Sequence, residues 1–312
     1  MKMSSTAIVV KHTGSHYLLS ELPRWEPFEA VLRGNLRLSE GNATNPVAVG
    51  DRVEYEKDGA SCVITKILER KNHLIRKSTN LSRQSHILAA NIDRALVVTS
   101  LYFPRLKFPF LDRILVTCEM FRIPVTIVLN KTDLYAAECA DEIAAFDAIY
   151  QGAGYEVLHT SVKSGEGLQA LQQACKGKVC LFSGESGTGK SSLIKSLDPT
   201  LELRTGAIST AHLQGKHTTT FYEMFPLRGG EGGFVIDSPG IRGFGLVGLE
   251  KEEIALYFPE MLKAAQQCRF TPCTHTHEPG CAVKDAVEKG LISAERYASY
   301  LGMLEEEGKY RK

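Results

Sequence analysis

The 312-residue chain has no apolar run approaching the roughly 18 residues that a membrane-crossing helix needs. Its start, "MKMSSTAIVVKHTG", holds an apolar stretch of only four residues, too short for the core of a secretory leader. A cytoplasmic protein without membrane association is therefore expected. Charge of one sign is also missing: 37 Lys and Arg face 36 Asp and Glu, a net charge of +1. There is no internal repeat and no low-complexity tract, which excludes solenoid and array architectures. Eight cysteines in a cytosolic chain argue against a disulfide framework. Cys62, Cys118, Cys139, Cys175 and Cys180 are scattered, mostly in apolar contexts that suit buried thiols. The other three fall within fourteen residues near the C-terminus and need a separate explanation.

A hydrophobic share of 43% and a charged share of 23% are ordinary for a globular protein, and the length suits two or three domains. The near-neutral total hides a local strip: Lys66 to Arg83 carries six basic residues and one acidic residue, Glu69. Such a strip can sit on phosphates or simply be a solvated face.

From Ala7 to Leu68 the sequence reads as short strands punctuated by Gly14, Gly34, Gly50 and Gly59. A small β-barrel is expected for residues 1–70; an OB-like barrel fits the strand count, and so does an SH3-like one. From there to residue 247 the pattern alternates. The buried strands are "RALVVTS", "PVTIVLN", "YEVLHTS", "KVCLFSG" and "GFVIDSPG", with helices expected over 110–121, 136–151, 167–174 and 190–197. Apolar strands separated by helices predict a largely parallel α/β sheet covered on both faces. Residues 248–312 turn helical and charged, with a last helix from about Ser293.

"GESGTGKSS", Gly184 to Ser192, follows an apolar strand and opens a helix, the context a phosphate-binding loop requires. Gly184, Gly187 and Gly189 let the backbone curl so that the N–H groups of this stretch (Glu185, Ser186 and Thr188 included) converge on phosphate oxygens. Lys190 is expected to reach the β- and γ-phosphates, the Ser191 hydroxyl to ligate Mg²⁺, and Ser192 to line the same site. In "DSPG", Asp237 would hold Mg²⁺ through water and the Gly240 N–H would sense the γ-phosphate. In "GKHTTTFYEMF" a threonine hydroxyl closes over Mg²⁺; Thr219 is the first choice, with Thr218 close behind.

"NKTD", Asn130 to Asp133, ends another strand. The Asp133 carboxylate can accept from guanine N1–H and from the 2-amino group, neither of which adenine offers; such unmade polar pairing discriminates by roughly 10⁴-fold. Asn130 is expected to bridge to the purine and neighbouring loops, the Lys131 stem to lie along the ring plane, and Thr132 belongs to the same guanine-binding motif. In "TSVKSGEG" the backbone of Ser161, Val162 and Lys163 is expected to donate to the guanine oxygen. Together these motifs predict a GTP/GDP site. They run base reader, second base loop, phosphate loop, threonine loop, Asp-x-x-Gly, an order that places the base reader first. Cutting and rejoining the chain preserves the sheet, because its binding loops gather at the strands' carboxyl ends whatever their order.

"CRFTPCTHTHEPGC" supplies Cys268, Cys273, His275 and Cys281, with His277 an alternative to His275. Three thiolates and an imidazole suit one tetrahedral structural Zn²⁺ with no open position for catalysis.

This constellation resembles the ribosome small subunit-dependent GTPase A family (RsgA, YjeQ/YloQ-type), and the resemblance covers nearly the whole chain. It rests on "NPVAVGDRVEYE", "AANIDRALVV", "GKHTTT" and the Cys/His spacing. It implies a circularly permuted P-loop GTPase domain (71–247) between an N-terminal OB-like, RNA-binding barrel (1–70) and a C-terminal helical zinc domain (248–312). It implies GTP hydrolysis stimulated by the small ribosomal subunit, contact with 16S rRNA, a role late in subunit maturation, no DNA partner and a monomer. Many GTPases place a water-orienting Gln just after Asp-x-x-Gly; Ile241 stands here, and His217 resembles the family's proposed catalytic histidine.

Overall fold

The computed structural model describes residues 4–13, 16–34, 46–59, 61–77, 85–201, 222–227, 233–237 and 249–310. The strands are β1 (Ser5–His12), β2 (His16–Ser20), β3 (Phe28–Leu32), β4 (Arg52–Asp58), β5 (Ser61–Ile67), β6 (His73–Lys77) and β7 (Ser85–Ala90). They continue as β8 (Arg94–Thr99), β9 (Val125–Asn130), β10 (Glu156–Thr160), β11 (Val179–Gly184), β12 (Glu223–Pro226) and β13 (Phe234–Asp237). The helices are α1 (Phe108–Met120), α2 (Ala140–Gly152), α3 (Leu168–Cys175), α4 (Lys190–Leu197), α5 (Pro259–Ala265), α6 (Ala282–Glu288) and α7 (Ala294–Tyr310). Two compact units divide the chain: 1–95 with 168–183 and 189–245, and 96–167 with 184–188 and 246–312.

In the first unit β1 to β5 pair in the order β1-β2-β3-β5-β4, and β4 returns to β1, closing a five-stranded barrel. That order and closure are those of an OB-like barrel, so the choice left open by strand count is resolved by topology. Its core holds Val9, Leu19, Val53 and Ile64, all fully buried, with Tyr17 and Tyr55. The burial pattern of β3 shows the cause: Ala30 and Leu32 point in while Glu29 and Val31 point out, the two-residue alternation of a half-covered strand. Gly50 admits no side chain, since at φ +92° an added Cβ would sit 2.1 Å from the Ala90 carbonyl oxygen.

The basic strip is partly internal structure rather than free surface. Arg70 grips the fully buried Asp51 through two bonds, Nε to Oδ1 at 2.6 Å and Nη2 to Oδ2 at 2.7 Å, and Asp51 also accepts from the Ala48 amide. Lys71 pairs with Asp93, and Lys66 lies 3.5 Å from Glu54. The β6–β7 hairpin, which the sequence pattern did not single out, follows directly. In the same unit β11 and β13 run parallel, β12 pairs antiparallel with β13, and β1 meets β12 at Lys11 and Glu223, whose side chains bridge at 2.8 Å.

The second unit contains residues 96–99 of β8 with β9 and β10, in the order β10-β9-β8, β9 and β10 running parallel, together with α1 and α2. Its C-terminal part packs on α1: Val116 joins a cluster with Ile254, Phe258, Met261, Val283, Ile292, Tyr300 and Met303. Through this core runs a buried polar link. Arg296, fully buried, donates from Nη1 to Asp112 Oδ1 at 2.8 Å, and from Nε and Nη2 to the two oxygens of Glu260 at 2.8 and 3.1 Å. Its guanidinium also stacks 4.6 Å from the Phe258 ring centre. No helix among the described residues is long and apolar enough to cross a membrane.

Candidate functional site

The base-reading turn is built in the second unit. β9 ends at Asn130; Lys131 adopts a left-handed conformation (φ 65°), and a single 3-10 turn, Thr132–Leu134, follows. The buried Asn130 side chain is engaged at both ends: Oδ1 accepts from the Thr160 hydroxyl at 3.0 Å and Nδ2 donates to the Thr188 carbonyl at 2.8 Å. The Lys131 ammonium donates to the Gly187 carbonyl at 2.7 Å and to the Phe103 carbonyl at 2.6 Å. Two consecutive residues of the base reader thus hold two consecutive carbonyls of the phosphate loop, across 58 and 56 positions of sequence. The Thr132 hydroxyl donates to Glu166 at 2.6 Å.

Asp133 is exposed, and its Oδ1 accepts from the Ser161 hydroxyl at 2.6 Å, which fixes the carboxylate's orientation while lone pairs remain for a ligand. Ser161 therefore acts through its side chain. Its own amide donates to the Glu166 carbonyl at 3.0 Å. Gly167, at φ +68°, closes this loop; an added Cβ would meet the His159 carbonyl oxygen at 1.8 Å.

β11 feeds the phosphate loop. Gly184 has φ +140° and an added Cβ would lie 2.1 Å from the Val98 carbonyl oxygen, so no other residue fits there. Gly187 and Gly189 also have positive φ, at 87° and 99°. Glu185 pairs with Lys107, and its carbonyl accepts from the Thr188 hydroxyl at 2.9 Å. Two residues beyond Thr188, Lys190 is largely buried at the start of α4, in the first unit, with Ser191 and Ser192 in that helix's first turn. No side chain caps α4.

In the first unit, parallel pairing of β13 with β11 sets Asp237 opposite Phe182, at the strand ends where the phosphate loop begins. Burial pushes the Asp237 carboxyl up; nearby Lys190 pulls it down and Glu223 adds to the rise. His217, Thr218, Thr219, Gly240 and Ile241 lie outside the described residues.

Cys268, Cys273, His275 and Cys281 form one cluster, their ligand atoms all within 4.8 Å of one another. His275 Nδ1 lies 3.7 Å from Cys268 Sγ and 3.3 Å from Cys281 Sγ, and those two sulfurs are 3.9 Å apart. A tetrahedron with Zn–S about 2.3 Å and Zn–N about 2.0 Å has edges of roughly 3.5–3.8 Å, so the set fits a zinc ion. His275 belongs to the cluster; His277 is exposed and its Nδ1 meets the Thr276 hydroxyl instead. The surrounding residues brace the knuckle. Tyr297 and Tyr300 donate to the carbonyls of His275 and Thr274, each at 2.6 Å. The Glu278 carboxylate accepts from the amides of Thr274 and Thr276; burial acts to raise it, but these bonds prevail and hold it at about 2.

Sequence reasoning missed the segment Leu101–Lys107, which supplies the Phe103 carbonyl and Lys107. Its only signal was position, since loops at the carboxyl ends of strands gather at the site. Glu166 was likewise not singled out within "SGEG".

A family described as RsgA GTPase matches residues 67–247. The small ribosomal subunit biogenesis GTPase RsgA 2 of Bacteroides thetaiotaomicron is 48% identical over 311 residues, 97% of this chain and 98% of that protein. RsgA of Porphyromonas gingivalis is 46% identical over 308 residues, again 97% and 98% of the two chains. Of solved structures, YjeQ from Thermotoga maritima superposes with a TM-score of 0.80 at 33% identity, covering 97% of this chain and 98% of its own. YloQ, a circularly permuted GTPase, gives 0.74 at 28% identity, covering 99% and 96%.

Proposed function

The chain belongs to the RsgA GTPase family, and on that premise we propose that it serves biogenesis of the small ribosomal subunit, hydrolysing GTP to GDP and phosphate when the subunit engages it. The observation that carries this reading is the pair of bonds from Asn130 and Lys131 to the Thr188 and Gly187 carbonyls, which join purine recognition to phosphate binding. Asp133, oriented by Ser161, accepts the guanine N1–H and 2-amino protons, and the amides of Val162 and Lys163 donate to its oxygen. The backbone from Gly184 to Gly189 wraps the phosphates, Lys190 neutralises the β/γ oxygens, and Ser191, Thr219 and Asp237 hold Mg²⁺. When bound, Mg²⁺ offsets charge on the β- and γ-phosphates. Gly240 senses the γ-phosphate, and His217 orients the attacking water, a task for which the Ile241 side chain has no hydrogen-bonding group.

Zinc held by Cys268, Cys273, His275 and Cys281 fixes the C-terminal knuckle. The barrel (1–70) contacts 16S rRNA, 71–247 is the GTPase domain, 248–312 the zinc domain, and the protein acts as a cytoplasmic monomer. Phosphate release under multiple turnover, with and without purified small subunits, tests the reading. GTP is consumed faster with subunits, ATP is not used, and His217→Ala loses the stimulated rate. Equal turnover of GTP and ATP, or no response to subunits, refutes it; full stimulated turnover by His217→Ala removes that residue from the chemistry.

A further inference from the structure

The segment from Leu101 to Lys107, "LYFPRLK", exposes two aromatic rings beside the nucleotide-binding loops. The Phe103 ring is 56% exposed and Tyr102 is 39% exposed, an arrangement that contributes little to folding. The segment is nevertheless rigidly held. The Ser100 hydroxyl donates to the Pro104 carbonyl at 2.9 Å, the Leu106 amide to the Leu101 carbonyl at 2.8 Å, and Lys131 to the Phe103 carbonyl at 2.6 Å. Tyr102 leans edge-on against Tyr135, 6.1 Å between ring centres, and Lys107 ties the far end to Glu185 of the phosphate loop. A braced backbone that presents an uncovered ring has already met the ordering cost of binding. Arg105, exposed two residues on, adds a cation that suits a phosphate.

We propose that this strap is a docking surface for RNA, with an unpaired base of the small subunit stacking on Phe103 and its backbone phosphate meeting Arg105. The inference rests on the proposed function. Interleaved exposed aromatic and basic side chains favour RNA over a protein pocket: a ring stacks on any base, whereas a protein partner would leave Arg105 needing a carboxylate. The same bonds give docking a consequence. The Lys131 ammonium links the Phe103 and Gly187 carbonyls, so a base seated on the strap is felt at the phosphate loop.

The full-length protein tests this with purified small subunits and a non-hydrolysable GTP analogue. Phe103→Ala removes the ring but keeps the carbonyl that Lys131 holds, and should bind subunits about tenfold or more weakly, the usual range for loss of one stacked base. Phe103→Trp should restore binding and Phe103→Leu should not; Arg105→Ala should lower the salt dependence of subunit binding by about one phosphate contact. Full subunit affinity in Phe103→Ala overturns the docking surface while leaving the parent reading intact. Rescue by leucine overturns it in favour of a protein pocket, and loss of GTP affinity in Phe103→Ala overturns it in favour of a nucleotide contact. If wild-type protein fails to bind subunits, the parent reading and the inference fall together.

Discussion

In the proposed reading the Asp133 carboxylate distinguishes one purine from another, and its geometry would make that preference reversible. Its Oδ1 is held by Ser161 at 2.6 Å, so the group is pre-aimed rather than searching among rotamers. Replacing it by asparagine keeps size and position but exchanges one acceptor for a donor. Guanine then faces a mismatched amino group, whereas xanthine, which carries an oxygen at that place, gains a partner. Asp133→Asn should lower GTP affinity by roughly 10²- to 10⁴-fold and raise affinity for xanthosine triphosphate. Competition binding with the two nucleotides decides it, and an unchanged preference would show that Asp133 does not read the base. The site's chemistry was legible at this scale because it is carried by side chains at fixed local spacing. Asn130, Asp133, Lys190 and the Cys/His set could be read that way. The Phe103 carbonyl could not, because every residue has one and only the fold decides which is used. Ser161 was read for its amide, yet it contributes its hydroxyl, since the amide is taken by Glu166.

Helices and strands were also largely readable, their positions matching the apolar pattern to within a few residues; α1 spans Phe108–Met120 against an expected 110–121. What the pattern hid is the charged residue on the buried face of that helix. Asp112, between Leu111 and Arg113 in the sequence, carries no local mark of burial, yet it is fully buried against Arg296 of α7, 184 positions away. Arg70 misleads in the same way, counted within a basic strip although it closes on Asp51. Burial pushes the Asp112 carboxyl up, against the pull of Arg296 and Tyr150. The pair therefore matters most when broken. Arg296→Met should cost about 3–5 kcal/mol, because it strands a carboxylate and also removes the partner of Glu260. Joining it with Asp112→Leu and Glu260→Gln should recover part of that loss, since no buried charge then stands alone. Thermal or denaturant unfolding of the single and combined variants measures the difference. A cost in Arg296→Met no larger than that of an average surface change would mean the link is structurally idle.

For the molecule as a whole, permutation changes which parts can stand alone. Changes of pattern along the chain, with the family resemblance, suggest three consecutive domains and a boundary near residue 248. One compact unit holds residues 96–167 and 184–188 together with 246–312, so the base-reader turn and the Cys/His knuckle lie in the same unit. The link is physical: Val116 of α1 shares a core with Phe258, Met261 and Tyr300, and Asp112 pairs with Arg296 from the C-terminal side. Sequence could not reveal this, because domain boundaries were inferred from changes of pattern, while the shared core forms between segments over a hundred residues apart. Removing residues 249–312 should therefore do more than delete a zinc-binding appendage. It uncovers the apolar face of α1 and orphans a buried carboxylate, losses that together rival the roughly 5–15 kcal/mol that hold a domain folded. A chain ending at residue 248 should aggregate, or unfold without a cooperative transition, and lose GTP binding although every nucleotide motif is still present. Calorimetry and GTP titration of that truncated chain settle the matter. If it unfolds cooperatively and binds GTP as the intact chain does, the shared core is incidental, and the C-terminal segment is an independent domain after all.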